Sequence, residues 1–260
     1  MRITLSHRAV VTVLYLFLLA PIAIILPMSF SNDPVIAFPP AQWGGHAYAA
    51  LVTNREFIRT FGVSATVASA VVLLCLATGV PAAYAAAFHR FPGRGLVLGL
   101  LTLPLLLPSI VIGHGLLLLF VRLNLIATYG GLAIAHGVLA LPYVVRMVVT
   151  AFGAVSAELS DAAVTLGASP WQVALRVRLP LIRPAILASA AIVFLISFDE
   201  VVVSLVLVGP RLSTLPVEVF RHIDLRADPQ VAALATVLVG LSLAIILVLE
   251  RTVGLARALR

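Results

Sequence analysis

Lysine does not occur anywhere in the 260 residues, and cysteine occurs once, at Cys75. Without lysine the chain cannot build a phosphate-cradling P-loop, in which a lysine follows the glycine-rich turn, so ATP hydrolysis of that kind is not expected of it. A single cysteine inside an apolar run excludes a disulfide framework and reads as a small packing residue. Charge of either sign is scarce: Asp, Glu, Lys and Arg together make up 10% of the chain, against 62% hydrophobic residues. No water-soluble single domain of this size tolerates that balance. A Gly-x-Ser-x-Gly elbow, a His-Glu-x-x-His helix and a Cys-x-x-Cys pair are also missing. Hydrolase and metal chemistry therefore find no anchor, and neither a cofactor nor a metal is expected.

What the chain does have is long apolar runs, over residues 10–30, 59–88, 96–121, 131–150, 184–208 and 231–249. Most reach the roughly 20 residues that a helix needs to cross a bilayer. The expected fold class is all-α: a polytopic membrane protein with six transmembrane helices, the whole of 1–260 forming one domain in the lipid bilayer. A closed barrel is the other architecture that spans lipid, and its alternating strands are not found. The first run follows a basic head carrying Arg2, His7 and Arg8. Its length and the lack of a clear small-x-small cleavage site make it a retained span rather than a signal peptide. Pro21 and Pro27 should kink or end it, Pro104 and Pro108 interrupt the third run, and Pro142 lies inside the fourth. Between spans, 31–58 is a polar interval rich in turn formers, and 209–230 is either a short interfacial helix or a solvated loop.

Six spans put both ends on one side, and the arginines say which. Arg2, Arg8, Arg90, Arg94, Arg146, Arg176, Arg178, Arg183, Arg251, Arg257 and Arg260 fall on the side of the termini; Arg55, Arg59, Arg122, Arg211, Arg221 and Arg226 fall opposite. The positive-inside rule then makes both termini cytoplasmic. The net charge of +7 is mostly this bias, so nucleic acid is not an expected partner.

One water-facing stretch, residues 157–182, has its own grammar. Leu159, Ala162, Ala163 and Leu166 share a helical face at i, i+3, i+4 and i+7. Gly167 supplies a left-handed turn at the helix end. Ser169, Pro170 and Gln172 restart a helix as a capping box with proline at its first position, and Pro180 is expected to stop it by pushing Leu179 out of helical geometry. The order Asp161-Ala162-Ala163, Gly167, Val177-Arg178-Leu179-Pro180 resembles the EAA loop of ABC-importer permeases, with every spacing kept and Asp and Val standing where that pattern has Glu and Ile. In that family the loop is the coupling helix that docks on the ATP-hydrolysing subunit. Ser197-Phe198-Asp199-Glu200, Thr214-Leu215-Pro216, Asp228-Pro229 and Phe38-Pro39-Pro40 with Tyr48 are similar to the spermidine/putrescine group, specifically the second of its two channel subunits.

The resemblance implies a type I ABC importer permease fold in a bacterial inner membrane. It implies an ATPase dimer below, a second and similar permease alongside, and a periplasmic solute-binding protein above. Asp161, Ala162, Ala163, Leu166, Gly167, Leu179 and Pro180 would form the coupling element, and the spans would swing between outward and inward openings as the ATPase closes. The implied cargo is a polyamine or related organic cation, or another small solute such as an amino-acid derivative. Asp199 and Glu200 lie within the fifth run, where an ionised acid costs about 3 kcal/mol at a helix centre and so faces a pathway or a partner. Either they attract a cationic substrate or they pair with an arginine of the companion subunit. His114 and His136, also within spans, either serve the pathway or hydrogen-bond a neighbouring helix. Aromatic anchoring at the two interfaces accounts for Trp43 and Trp171. A self-sufficient secondary transporter or channel using these acids and histidines as an ion relay is the rival reading, but it gives no reason for the 157–182 pattern.

Overall fold

The structure is a computed structural model and describes residues 5–225 and 228–253. Arg2, Arg226, Arg257 and Arg260, which enter the charge asymmetry, lie outside the described residues. The first apolar run is helix α1 (Leu5–Met28), continuous through Pro21 and carrying Pro27 in its last turn. After an irregular segment come α2 (His46–Thr53), α3 (Arg55–Phe88), α4 (Arg94–Thr102), a 3-10 turn (Leu103–Leu106), α5 (Ser109–Leu123) and α6 (Tyr129–Gly153). The 157–182 stretch folds as α7 (Ala157–Thr165), α8 (Pro170–Val173), a π-turn (Ala174–Arg178) and α9 (Leu179–Leu181). Then follow α10 (Arg183–Phe198), α11 (Val202–Leu207), α12 (Leu215–Leu225) and α13 (Pro229–Val253). Among the described residues, β structure is limited to isolated bridges, Ser31 with Trp43 and Gly209 with Leu212. Four helices, α1, α3, α6 and α13, are long and apolar enough to cross a membrane, and two bent pairs raise the number to as many as 6. The fold is all-α and multi-pass.

The third apolar run is interrupted at its prolines, as expected, and sharply: α4 with its 3-10 turn and α5 meet at 109°, whereas two other local expectations need correction. Pro104 lacks the N–H an α-helix would use, and Leu107 before Pro108 is extended at φ −102°, ψ 140°, so the chain leaves α4 and restarts in a new direction. The fifth run is not one helix over 184–208. α10 ends at Phe198, and Glu200 accepts the Val203 N–H at 2.9 Å, starting α11 with its own side chain. Pro180, in turn, does not stop its helix. Leu179 stays helical at φ −62°, ψ −43°, because the preceding π-turn widens the ladder where the proline ring would otherwise meet a carbonyl. The chain bends only after Leu181, by 66°, into α10.

The molecule divides into two compact units, residues 60–217 with 244–260, and 1–59 with 218–243. In the larger, α6 is the central helix: Leu132, Ala135, Ala140, Val144, Val148 and Phe152 recur at three to five residues and are all buried. Its neighbour α3 offers Val67, Val71 and Cys75 at a spacing of four, also buried. Small residues bring these two helices close. A Cβ on Gly79 would stand 2.9 Å from Val144, and one on Gly137 would stand 3.0 Å from Leu74, the small-residue packing typical of helices in lipid. Pro142 is accommodated inside α6 without a break.

In the smaller unit, α1 and the start of α13 accompany a tied segment, residues 29–45. Asp33 is its knot: its carboxylate accepts the backbone N–H groups of Ala41 (2.9 Å) and Gln42 (3.1 Å) and the hydroxyl of Ser31 (2.9 Å). These bonds, the Ala41 N–H foremost, hold the Asp33 carboxyl below the usual carboxylate range. Tyr48 adds a hydrogen bond to Ser29 at 2.7 Å and packs on Phe30. The 209–230 connection contains a true helix, α12, with Leu215 and Val217 buried and Phe220 and Ile223 exposed.

Candidate functional site: a docking element and a broken span

The 156–173 segment holds its shape by local bonds. Ser156 accepts the Glu158 N–H at 3.2 Å to open α7, and Glu158 itself sits in the first turn, where the helix dipole favours an acid. At the other end Gly167 adopts φ +85°. Its N–H reaches the Val164 carbonyl at 2.9 Å while the Ala168 N–H reaches Ala163 at 3.0 Å, the paired bonds of a Schellman turn. A Cβ at Gly167 would meet nothing within 4 Å, so the position asks for glycine by backbone conformation alone. The capping box follows: Gln172 N–H to Ser169 Oγ at 3.4 Å, and Ser169 N–H back to Gln172 Oε1 at 2.8 Å, with Pro170 between.

This element turns its apolar side chains outward. Leu159 is 50% exposed, Val164 57%, Leu166 89% and Trp171 71%. Asp161 and Ala162 are exposed beside them and Ala163 half-buried. The face read from the sequence is therefore largely uncovered, and Ser160 is the one α7 residue that is buried. Leu179 and Pro180 lie apart from that face, both half-buried, and with the exposed Arg183 they line a cavity of ≈ 600 Å³ between α3 and α10.

Sequence reasoning missed the residue that ties this element down. Arg178, at the end of the π-turn, donates from Nε to Ser160 Oγ at 3.1 Å and from Nη1 to Tyr84 Oη at 3.0 Å. Its guanidinium carbon lies 3.7 Å from the centroid of the Phe88 ring, a cation–π stack. Tyr84 and Phe88 belong to α3 and pack with Phe152 of α6. A local pattern does not signal this meeting, because Tyr84 and Arg178 are 94 positions apart.

The intramembrane candidates separate into different roles. His136 is 1% exposed and joined through Nδ1 to Ser197 Oγ (2.9 Å) and through Nε2 to Ser204 Oγ (3.0 Å). It therefore clasps α10 and α11 on either side of the break at residues 199–201. Glu200 is engaged in starting α11, whereas Asp199 is exposed at the end of α10. His114 is exposed on α5, its Nδ1 bonded to the Ile110 carbonyl of its own helix at 2.8 Å. His114 is thus not brought together with His136 through any bond, and the two acids differ in what they can offer a ligand.

In the smaller unit a cavity of ≈ 250 Å³ is lined by Asn32, Asp33, His46, Asp228 and Gln230. Asp228 there faces His222 at 3.2 Å.

Comparison with known proteins bears on both units. The family described as binding-protein-dependent transport system inner membrane component matches residues 79–254. The spermidine/putrescine transport system permease protein PotC of Escherichia coli (strain K12) is 30% identical over 239 residues, covering 91% of this chain and 89% of its own length. The putrescine transport system permease protein PotI of the same strain is 31% identical over 233 residues, covering 87% and 83%. In structure, a chain of the bacterial alginate ABC transporter, solved in complex with an alginate pentasaccharide-bound periplasmic protein, superposes with a TM-score of 0.72 at 16% identity. It covers 95% of this chain and 92% of that one. That likeness fixes the fold as an ABC-importer permease of type I.

Proposed function

The chain belongs to the family of binding-protein-dependent transport system inner membrane components, and from that premise we propose that it forms, with a second permease of similar fold, the pathway for a polyamine or related organic cation. As a family member it is a multi-pass membrane subunit of an ABC importer, and it works with an ATPase and further subunits. ATP is hydrolysed by that separate ATPase, since this chain has no lysine for a P-loop. Both termini and α7 face the cytoplasm, and a periplasmic solute-binding protein delivers the cargo.

The observation that carries the coupling role is the outward face of α7. Leu159 and Leu166 stand 50% and 89% exposed beside Ala162 and Ala163, on an element that is expected in water. Such side chains are covered when a partner docks, and the alanines let its surface approach closely. The turn at Gly167 and the capping box after it hold that face in one shape. Asp199 is the acid placed to attract an amine, because Glu200 already serves the backbone of α11. The names of PotC and PotI, as spermidine and putrescine permeases, support a polyamine as cargo.

The test is to purify the tagged chain from its own membranes in mild detergent, identify its companions, and assay spermidine uptake in reconstituted vesicles. Co-purification of an ATPase and a second permease, with uptake that needs ATP and survives collapse of the ion gradient, is expected. A chain that purifies alone and transports down an ion gradient without ATP overturns the reading.

A further inference from the structure

α7 is held to the rest of its unit through a narrow connection. Its buried residue, Ser160, is the one that the Arg178 Nε grips, at 3.1 Å. The same guanidinium bonds Tyr84 of α3 at 3.0 Å and lies over Phe88 at 3.7 Å. Arg178 is the last residue of the π-turn Ala174–Arg178, an extra-wide turn that rotates the side chains at its end relative to a regular α-helix. Widened turns of this kind are often kept at functional positions, and this one delivers the guanidinium to two elements at once.

The geometry points to Arg178 as the positioning residue through which movement of α7 is passed to α3, so that the docking helix and the cytoplasmic end of α3 move as one body. This rests on the coupling reading above and adds the route. A guanidinium suits the task because its planar fork holds two acceptors in fixed directions while its face stacks on an aromatic ring. A lysine offers a point charge and neither constraint. Tyr84 and Phe88 pass the load inward, since both rings pack edge-on against Phe152 of the central helix, at 5.6 Å and 5.2 Å. α3 is thus driven directly from the loop, alongside α10, which continues from α9 in the chain.

The experiment uses the purified complex, with spin labels on cysteines placed at Thr165 on α7 and at Arg90 just beyond α3, both exposed positions. In the native background the label separation should stay the same with and without ATP, because α7 and α3 travel together. In Arg178→Met, which keeps side-chain length and removes both donated bonds, the separation should change on adding ATP, and spermidine moved per ATP hydrolysed should fall several-fold. Arg178→Lys should restore little of that ratio. Ser160→Ala and Tyr84→Phe should each lower the ratio, and each should add little on top of Arg178→Met, the non-additivity of links in one series.

If the label separation responds to ATP in the native complex as it does in Arg178→Met, the proposal is overturned while the coupling reading stands. Loss of the ATPase from the Arg178→Met complex also overturns it, since the arginine would then be shaping the docking face itself. Absence of an ATPase from the native complex is the separate failure of the coupling reading.

Discussion

Replacing His136 by alanine would leave the hydroxyls of Ser197 and Ser204, both buried, without the ring nitrogens they now meet at 2.9 Å and 3.0 Å. Each unsatisfied buried group costs about 1–3 kcal/mol, and the break between α10 and α11 loses its clasp. His136→Ala is therefore expected to lower the midpoint of thermal unfolding in detergent by several degrees. His136→Gln, which also presents a donor and an acceptor at its tip, should recover part of the loss. An unchanged midpoint in His136→Ala would show that the two half-helices are held by packing alone. Two histidines of the same chemical type thus end in different circumstances. His114 satisfies itself on the turn below, whereas His136 bridges segments 61 and 68 positions away. The sequence placed both within apolar runs and left open which would bond a neighbour, because a partner so remote leaves no local trace. The fate of Asp199 and Glu200 was hidden for a related reason. The sequence was read with a continuous helix, in which adjacent residues point about 100° apart, whereas the Glu200 carboxylate competes for the Val203 N–H and ends that helix.

Among elements, the loop around α7 was the most legible. The signals in Gly167 and in Ser169, Pro170 and Gln172 act over three or four residues, and the bonds they imply are present. Gly167→Ala tests one of them cleanly, since a Cβ there has open space and only the backbone angle objects. A left-handed conformation for an L-residue costs about 1–2 kcal/mol. The expected result is normal insertion in the membrane with less ATPase recovered on purification, while undiminished recovery would mean that the docking face does not depend on this turn. Proline was read less well. Leu107 obeys the rule for residues before proline and turns extended, but Leu179 stays helical before Pro180 because the π-turn ahead of it absorbs the clash. Widened turns have no sequence signature comparable to a capping box, and neither does the Arg178 grip they make possible.

At the scale of the whole molecule, hydropathy and charge carried the reading. An all-α, multi-pass chain followed from composition, and the apolar runs were legible as helices except where prolines turned the third by 109° and the Glu200 carboxylate divided the fifth. The arrangement of arginines predicts that a fluorescent reporter fused after Arg260, of a kind that matures only in the cytoplasm, will be bright. A dark fusion that is present in the membrane at normal amount would reverse the proposed orientation. The locally closed bonds from Ser156 to Val173 have one more consequence, for how the assembly is built in the cell. Their partners all lie within the same short segment, so the proposed docking surface owes its turns and caps to this chain's own bonds rather than to a companion. Joining then orders little chain and carries a small entropic cost. On the proposed coupling role, a permease inserted early would keep a shaped berth open, and the supply of its soluble companion could lag behind membrane insertion.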